Sequence, residues 1–455
     1  MKRHWIDKNI TILGFSLSGI ASAKYLVKKG ANCTISERRE EKSTDDERIF
    51  ELKQLGVNIE MGGHKEETIL NADLIIASPG IPPHSEVIEL ARNNNIQIIS
   101  EIELAYIETD KPFIAITGTN GKTTTTKLVS EILTNAGLNA PACGNIGLPP
   151  ITLVDSNIDY FVTELSSFQI YTSKTFKPQI ALFINYAPDH IDWHGSEEAY
   201  FEAKASLFTD YKSPAWSILN ACDPKVMELK SRTDSKIVYF GREMPDTSVY
   251  VQNDKIVYKS KGRIEEIIAL KDISLIGKHN YQNIMASIAI AKIAGIDTET
   301  IKATISNFKP PEHRLEFVDT IEGIDFFNDS KATNCDSAIC AMRAFEDRQV
   351  VLIAGGRDKG TDLCEFVQTV KKHADSVILI GEAADRFQEA LESFGYLNIH
   401  RKGSLEEAIE TAFNLKTGPV LFSPACASYD MFKNYEERGQ AFKDYVIKKK
   451  AYSPA

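Results

Sequence analysis

The heptapeptide Gly118-Thr119-Asn120-Gly121-Lys122-Thr123-Thr124 sets two glycines, a lysine and three hydroxyls where phosphate chemistry needs them. Glycines allow a tight turn in which successive backbone N–H groups converge on phosphate oxygens. Lys122 would reach the β and γ phosphates, and the Thr123 hydroxyl would serve Mg²⁺. The spacing is GxxGKT, shorter than the common GxxxxGK[ST], because Ile116 stands five residues before Gly121. A strand-like run, Phe113–Thr117, precedes the loop, and Thr123–Leu133 reads as a helix. That context favours phosphate binding over a glycine turn with a surface lysine. No NKxD tetrapeptide of the guanine-reading kind occurs, so ATP is the expected nucleotide.

Ile158–Thr163 reads as another strand, and it ends at Glu164. A carboxylate there can hold a phosphate-bound Mg²⁺, directly or through water; the plain alternative is a solvated strand-end glutamate. Leu165–Gln169 begins a helix, with Ser166 as its cap or as a ligand contact. A further strand, Ile180–Ile184, leads to Asp189-His190-Ile191-Asp192-Trp193-His194. His190, Asp192 and His194 lack a full ligand set at a zinc spacing. His190 on a second Mg²⁺ is one reading, and a loop histidine capping the next helix is the other.

These loops need a scaffold. Short apolar runs ending in glycine recur at Ile10–Gly14, Phe113–Gly118, Val350–Gly356 and Val377–Gly381, each followed by an amphipathic stretch. Such runs suit strands covered on both faces, and the alternation predicts parallel sheets flanked by helices. Ligands on such sheets bind beyond the carboxyl ends of the strands. Proline-bearing breaks at Glu108–Pro112 and Asn307–Pro311 divide the 455 residues into 1–108, 109–309 and 310–455. The expected fold is α/β with three domains. They are a Rossmann-like N-terminal domain, a central P-loop ATPase-type parallel sheet with a small antiparallel patch over Ser248–Ile273, and a Rossmann-like C-terminal domain.

Composition narrows the function. With 43% hydrophobic and 25% charged residues the chain is neither disordered nor fibrous. Its 52 basic and 63 acidic residues give a net charge of −11, which argues against a nucleic-acid partner. Seven cysteines without a CxxC pair read as reduced thiols in a cytoplasmic protein. No run approaches the roughly 18 apolar residues of a membrane span.

The N-terminal Gly14-Phe15-Ser16-Leu17-Ser18-Gly19 is a GxGxxG with serine at its middle glycine, and Glu37 ends the next strand. That permits a nicotinamide reading. The serine would crowd the pyrophosphate approach that the middle glycine allows, so NAD is disfavoured.

Taken in order, Gly118–Thr123, Glu164–Gln169, Asp189-His190, His279-Asn280-Tyr281-Gln282-Asn283 and His313-Arg314 resemble the Mur ligases, the three-domain ATP-dependent amide-forming enzymes of peptidoglycan assembly. The resemblance runs from about residue 10 to about residue 440. Within the family, Asn328–Asn334 and Ser423–Asp430 are similar to the member that adds D-glutamate to UDP-N-acetylmuramoyl-L-alanine. A same-fold ligase with another acceptor, from a different Mur step or folate polyglutamylation, is the alternative.

The resemblance implies ATP and two Mg²⁺ ions as cofactors, and a monomer. It implies that Lys204 becomes a carbamate and joins Thr123, Glu164 and His190 around the metals. Asn280, Asn283, Arg314, Asp329 and Lys331 match positions that hold ATP, with Arg314 and Lys122 on the transferring phosphoryl group. Leu17, Ser18, Arg38, Ser78 and Gly80 match contacts to the UDP portion, with Asn145 and Ser166 reaching the substrate from the middle domain. Thr333, Lys359, Ser428, Tyr429 and Tyr435 match the D-glutamate pocket.

Overall fold

The computed structural model describes residues 4–41, 46–209, 212–275, 277–345, 348–358 and 360–452. Among them are three α/β domains, one around each of three sheets. The first sheet comprises β1 (Asn9–Leu13), β2 (Asn32–Ser36), β3 (Asn58–Glu60), β4 (Leu74–Ala77) and β5 (Ile98–Ile99). Its order is β3-β2-β1-β4-β5, with every pairing parallel. All four residues of β4 are buried, as the apolar run requires for a sheet covered on both faces.

The second sheet holds β6 (Phe113–Thr117), β7 (Ala142–Gly144), β8 (Phe161–Glu164), β9 (Ile180–Phe183), β10 (Trp216–Asn220), β11 (Lys236–Phe240), β12 (Ser248–Gln252), β13 (Lys255–Ser260) and β14 (Arg263–Ala269). The order is β14-β13-β12-β11-β10-β9-β6-β8-β7. The antiparallel patch expected over Ser248–Ile273 is β12–β14, which extends this sheet through a parallel β11–β12 pairing. β8 begins at Phe161, three residues later than its sequence suggested. Phe161 is the first residue to pair with β6, opposite Phe113, while the Asp159 N–H turns to the Asn139 carbonyl.

β6 is central, between β8 and β9. In register, Ile116 faces Glu164 and Thr117 faces Phe183. The loop after β6, the end of β8 and the segment after β9 therefore emerge side by side at the carboxyl edge.

The third sheet holds β15 (Glu316–Ile321), β16 (Ile324–Asn328), β17 (Val350–Gly355), β18 (Ala374–Ile380), β19 (Ile399–Arg401) and β20 (Val420–Phe422), in the order β15-β16-β20-β17-β18-β19. β15 is its antiparallel edge, and the other pairings are parallel. The first and third domains share a parallel plan but differ in strand order.

The chain packs as two compact units. One holds residues 1–272 with 282–306, and the other holds 273–281 with 307–455. The first two sheets thus belong to one unit and share a continuous apolar core from Trp5 to Tyr239. The helix Glu101–Glu108 joins them. Ser100 caps it by accepting the Glu103 N–H, a contact worth about 1 kcal/mol. Three of its glutamates are buried. Glu108 accepts the Trp5 indole N–H at 2.9 Å and the Tyr25 hydroxyl at 2.7 Å, both on the first domain. Glu101 accepts the Ile151 N–H at 2.7 Å, and Glu103 accepts the N–H groups of Thr175 and Phe176, all on the second domain.

Candidate active site

The phosphate loop has the expected strand before it and the helix Lys122–Asn135 after it. Leu128, Val129, Ile132 and Leu133 pack that helix inward at helical spacing. Gly121 is its N-terminal cap at φ 82°. A Cβ there would also stand 2.3 Å from the Asn283 amide oxygen, so conformation and space both demand glycine. The first turn of a helix carries N–H groups without intrahelical acceptors, and they suit an anion.

Asn185, one residue beyond the β9 neighbour Ile184, braces the loop. Its side-chain oxygen accepts the Asn120 N–H at 2.8 Å, its amide donates to the Asn120 carbonyl, and its own carbonyl accepts the Thr119 N–H. The sequence reading gave Asn185 no role. The available signal was its place after a buried strand that flanks the loop strand.

Two lysines meet at one carbonyl. Lys122 Nζ donates to Gly118 O at 2.9 Å and to Thr119 O at 2.9 Å, and Lys204 Nζ donates to Gly118 O at 2.9 Å. Lys204 is 1% exposed. Burial first, and the nearby Lys122 second, hold its amine well below the usual lysine pKa. That favours the neutral, nucleophilic form. Its Nζ lies over the Tyr200 ring, whose hydroxyl pairs with Thr119.

Glu164 is 2% exposed. One carboxylate oxygen accepts the Asn145 amide at 2.9 Å, while the other is buried with no hydrogen-bond partner. A buried carboxylate oxygen without a donor is costly unless a cation meets it. Together with the Thr123 hydroxyl at the helix start, this donor set fits Mg²⁺. Ser166 caps the helix Ser167–Tyr171 in a reciprocal box with Gln169. His190 stands at φ 52° before the short helix Ile191–His194, makes no side-chain cap, and packs on Phe168 at 4.8 Å between ring centroids. The Asp192 side chain lies outside the described residues.

Asn280 and Asn283 stand one turn apart on the helix Lys278–Ile293, and both are buried.

The first domain has a cavity of 1190 Å³ beyond the carboxyl ends of its strands. Arg38, Ser78 and Gly80 line it, whereas Leu17 and Ser18 lie outside its wall. Leu17 is 66% exposed. Ser16 bonds to Ser78 at 2.8 Å, so the serine in the glycine pattern serves as a strut. Glu37 is occupied by the N–H groups of Phe15 and Arg39. His64 also lines the cavity and is held by Ser36 at 2.8 Å. The sequence reading missed it, because nothing in its spacing distinguishes it from a loop histidine.

In the second unit Arg314 sits against Asp329, and its Nε is buried without a partner. Asp329 accepts the Leu315 N–H at 3.1 Å and the Ser423 hydroxyl at 2.7 Å. Burial raises its pKa to about 6 despite Arg314. Lys331 lies over the Tyr435 ring at 5.3 Å. Ser428 is buried and Tyr429 is exposed. Thr333 lies in the turn before the helix Cys335–Arg343. Lys359 lies outside the described residues. Arg438, which the sequence reading did not single out, is buried and donates to Ser330 Oγ and to the carbonyls of Ser330, Cys426 and Ala427.

A parallel sheet with a phosphate loop, a cation-seeking carboxylate and a buried lysine defines a nucleotide-dependent enzyme of the Mur type. Residues 8–100 match the MurD-like Mur ligase N-terminal domain, residues 116–291 the Mur ligase middle domain, and residues 313–426 the glutamate ligase domain of Mur ligases. The chain is 41% identical over 448 residues to the UDP-N-acetylmuramoylalanine--D-glutamate ligase of Caldanaerobacter subterraneus subsp. tengcongensis, covering 97% of this chain and 98% of that protein. It is 38% identical over 445 residues to the enzyme of that name from Clostridioides difficile, covering 96% and 98%. Among solved structures, MurC of Thermotoga maritima aligns with a TM-score of 0.59 at 20% identity over 97% of this chain and all of that one. MurF of Acinetobacter baumannii aligns with a TM-score of 0.60 at 15% identity over 98% and 92%. The chain belongs to the Mur ligase family.

Proposed function

We propose that this protein is an ATP-dependent ligase that joins D-glutamate to UDP-N-acetylmuramoyl-L-alanine during synthesis of peptidoglycan precursors. The observation that carries the chemistry is the partnerless buried oxygen of Glu164, opposite Ile116 on the strand that leads into the phosphate loop. The acceptor rests on the near-full-length identity to D-glutamate ligases.

In this reading ATP lies along residues 118–124, with Asn280, Asn283, Arg314, Asp329 and Lys331 completing its site. The UDP portion occupies the 1190 Å³ cavity, with Arg38, Ser78 and Gly80. Thr333, Lys359, Ser428, Tyr429 and Tyr435 receive D-glutamate. Domain boundaries fall at 108/109 and 309/310.

Thr123, Glu164, His190 and Lys204 would hold two Mg²⁺ ions, which supply charge neutralisation at the transferring phosphoryl group. For Lys204 to join them its neutral amine attacks CO₂. A nitrogen–carbon bond forms, one proton leaves to solvent, and the product is an anionic carbamate.

The substrate carboxylate oxygen attacks the γ phosphorus in line. The bond to the β-phosphate oxygen breaks and ADP departs, leaving an acyl phosphate. Lys122 and Arg314 offset the charge that spreads over the phosphoryl oxygens. The D-glutamate amine then attacks the acyl carbon, phosphate leaves with the bonding pair, and the amine proton passes to solvent. Asn145 orients Glu164, and Asn185 holds the loop, so catalysis is mostly positioning.

The test is phosphate release from ATP and Mg²⁺ with UDP-N-acetylmuramoyl-L-alanine, across a panel of D- and L-amino acids. Release that requires D-glutamate, with the matching mass gain on the nucleotide sugar, is the expected result. Release with another amino acid reassigns the acceptor pocket. No release with any acceptor overturns the ligase reading.

A further inference from the structure

On the β2–β3 side of the 1190 Å³ cavity the fold fixes the orientation of one wall residue, His64. The segment after β3 is stitched to the segment after β2. The Glu37 N–H donates to the Glu60 carbonyl at 2.9 Å, the Gly62 N–H to the Arg39 carbonyl at 3.0 Å and the Gly63 N–H to the Glu37 carbonyl at 3.1 Å. Gly62, at φ 83°, makes the turn. His64 then comes back beside Ser36, with Nδ1 and the Ser36 hydroxyl 2.8 Å apart.

That contact decides which ring nitrogen carries the proton. Ser36 is 0% exposed, and among the described residues its hydroxyl has no other partner. A buried hydroxyl hydrogen needs an acceptor, and the Nδ1 lone pair is the one at hand. Nδ1 therefore accepts, and the proton of the neutral ring sits on Nε2. Burial holds the imidazole below its usual pKa, against the pull of Glu37, so the ring is uncharged at neutral pH. Nε2 takes no partner among the described residues, which leaves one fixed N–H to offer a ligand.

The sheet says which part of a nucleotide meets it. Gly14, Phe15 and Ser16 line the cavity beside the N-terminus of the helix Leu17–Lys28, a place that suits the diphosphate. β2 and then β3 lie outward from β1, so the end of β3 stands roughly 10 Å further along the sheet edge. A nucleotide anchored by its phosphates at β1 turns the far edge of its pyrimidine toward β3. Uracil presents the O4 acceptor on that edge, and cytosine presents the N4 amino donor. Both Glu37 oxygens already accept N–H groups, from Phe15 and Arg39, and a carboxylate cannot donate to a carbonyl. Arg38 and His84 also line the cavity, but both are exposed. A donor held by a buried partner is the kind that reads one base edge over another. We propose that His64 is the base-reading residue of the UDP site, its Nε2–H donating to uracil O4 and selecting uridine over cytidine nucleotides, with Ser36 setting its tautomer. This assignment rests on the UDP reading of the cavity given above.

The experiment follows phosphate release by the full chain with UDP-N-acetylmuramoyl-L-alanine and with its CDP counterpart, and calorimetric binding of UDP and CDP alone. The unaltered protein is expected to prefer the uridine substrate by at least about 100-fold in kcat/KM. His64→Leu should raise the KM for that substrate by about tenfold or more, keep kcat and the KM for ATP within about twofold, and cut the preference below about tenfold. His64→Gln, whose amide can donate, should recover part of the preference. Ser36→Ala, which frees the tautomer, should lie between the unaltered protein and His64→Leu. If His64→Leu has a lowered melting temperature, His64→Gln and Ser36→Ala carry the comparison. A KM that rises equally for the uridine and cytidine substrates would put His64 on the ribose or the phosphates and overturn the base reading. A preference that survives in every variant would overturn it too, and D-glutamate-dependent release would then leave the ligase reading intact. If no amino acid supports release, the binding arm decides. Tighter binding of UDP than CDP that His64→Leu erases keeps the assignment while the ligase reading falls, and equal binding by the unaltered protein overturns the assignment.

Discussion

Two regions of the chain bury ionisable groups and treat them in opposite ways. Where β6 and β8 end, Glu164 keeps one oxygen without a donor, and Lys204 is enclosed beside a second lysine. Near β16 and β20, Arg438 is equally deep, yet it reaches four acceptors. Burial pushes the Arg438 guanidinium down to about 10, and the fold keeps it charged by surrounding it with oxygen atoms. A buried charge with an open valence is costly until a ligand arrives, whereas a saturated one fastens the fold. Burial alone does not mark a site; the open valence does. By that criterion Arg314, whose Nε is buried and unpaired, belongs with the first group although it sits in the second unit.

The largest effect that would break this contrast lies at Glu164. Glu164→Gln should lower ATP-dependent phosphate release by about 10²–10³-fold while circular dichroism stays native. Retained turnover would remove Glu164 from the site. Next come two matched truncations. Arg438→Met strands four acceptors and should cost about 3 kcal/mol in urea unfolding. Lys204→Met should leave stability equal or higher and abolish turnover, because it replaces a desolvated amine with an apolar chain of similar length. If both variants lose stability alike, the distinction between site and fastener fails.

A smaller effect is pH-dependent. Burial raises the Glu101 carboxyl from 4.5 to about 8. Between those values the folded chain holds a proton that the unfolded chain has released, so stability falls as pH rises, by up to about 1.4 kcal/mol per pH unit. Glu101→Gln keeps the acceptor for Ile151 and should flatten that slope in urea titrations at about pH 5.5 and about pH 7.5. The smallest expected change is Ser423→Ala, which removes one donor from Asp329 and should cost about 1 kcal/mol by the same unfolding measurement.

The phosphate loop was legible because its chemistry is local. Two glycines, a lysine and threonines adjoin in sequence, and the strand and helix around them have clear periodicity. Glu164 was legible as a strand-end acid, although the register that sets it opposite Ile116 was not. The buried glutamates were invisible. Nothing adjacent in sequence marks Glu101, Glu103 and Glu108, because their partners lie 50, 72 and 103 residues away. Arg438 was hidden for the same reason, since its Ser330 contact spans 108 residues. Asn185 lay between, because its position was readable but its grip on Asn120 required the β6–β9 pairing. Motifs disclose chemistry carried by adjacent residues, and they are silent where folding assembles polar partners from distant segments.

The helix Glu101–Glu108 is a strut, not a tether. Glu108 closes onto Trp5 and Tyr25, while Glu101 and Glu103 close onto Ile151, Thr175 and Phe176. Each carboxylate is one half of a lock whose other half lies far along the chain. The first domain is therefore not an exchangeable cassette. A chimera joined at residue 108 keeps Glu108 with Trp5 and Tyr25 but sets Glu101 and Glu103 against the other parent's second domain. One joined at residue 100 keeps Glu101 and Glu103 with their second-domain partners but sets Glu108 against the other parent's residues at positions 5 and 25. Recombination between relatives is thereby confined to exchanges that move both sheets together.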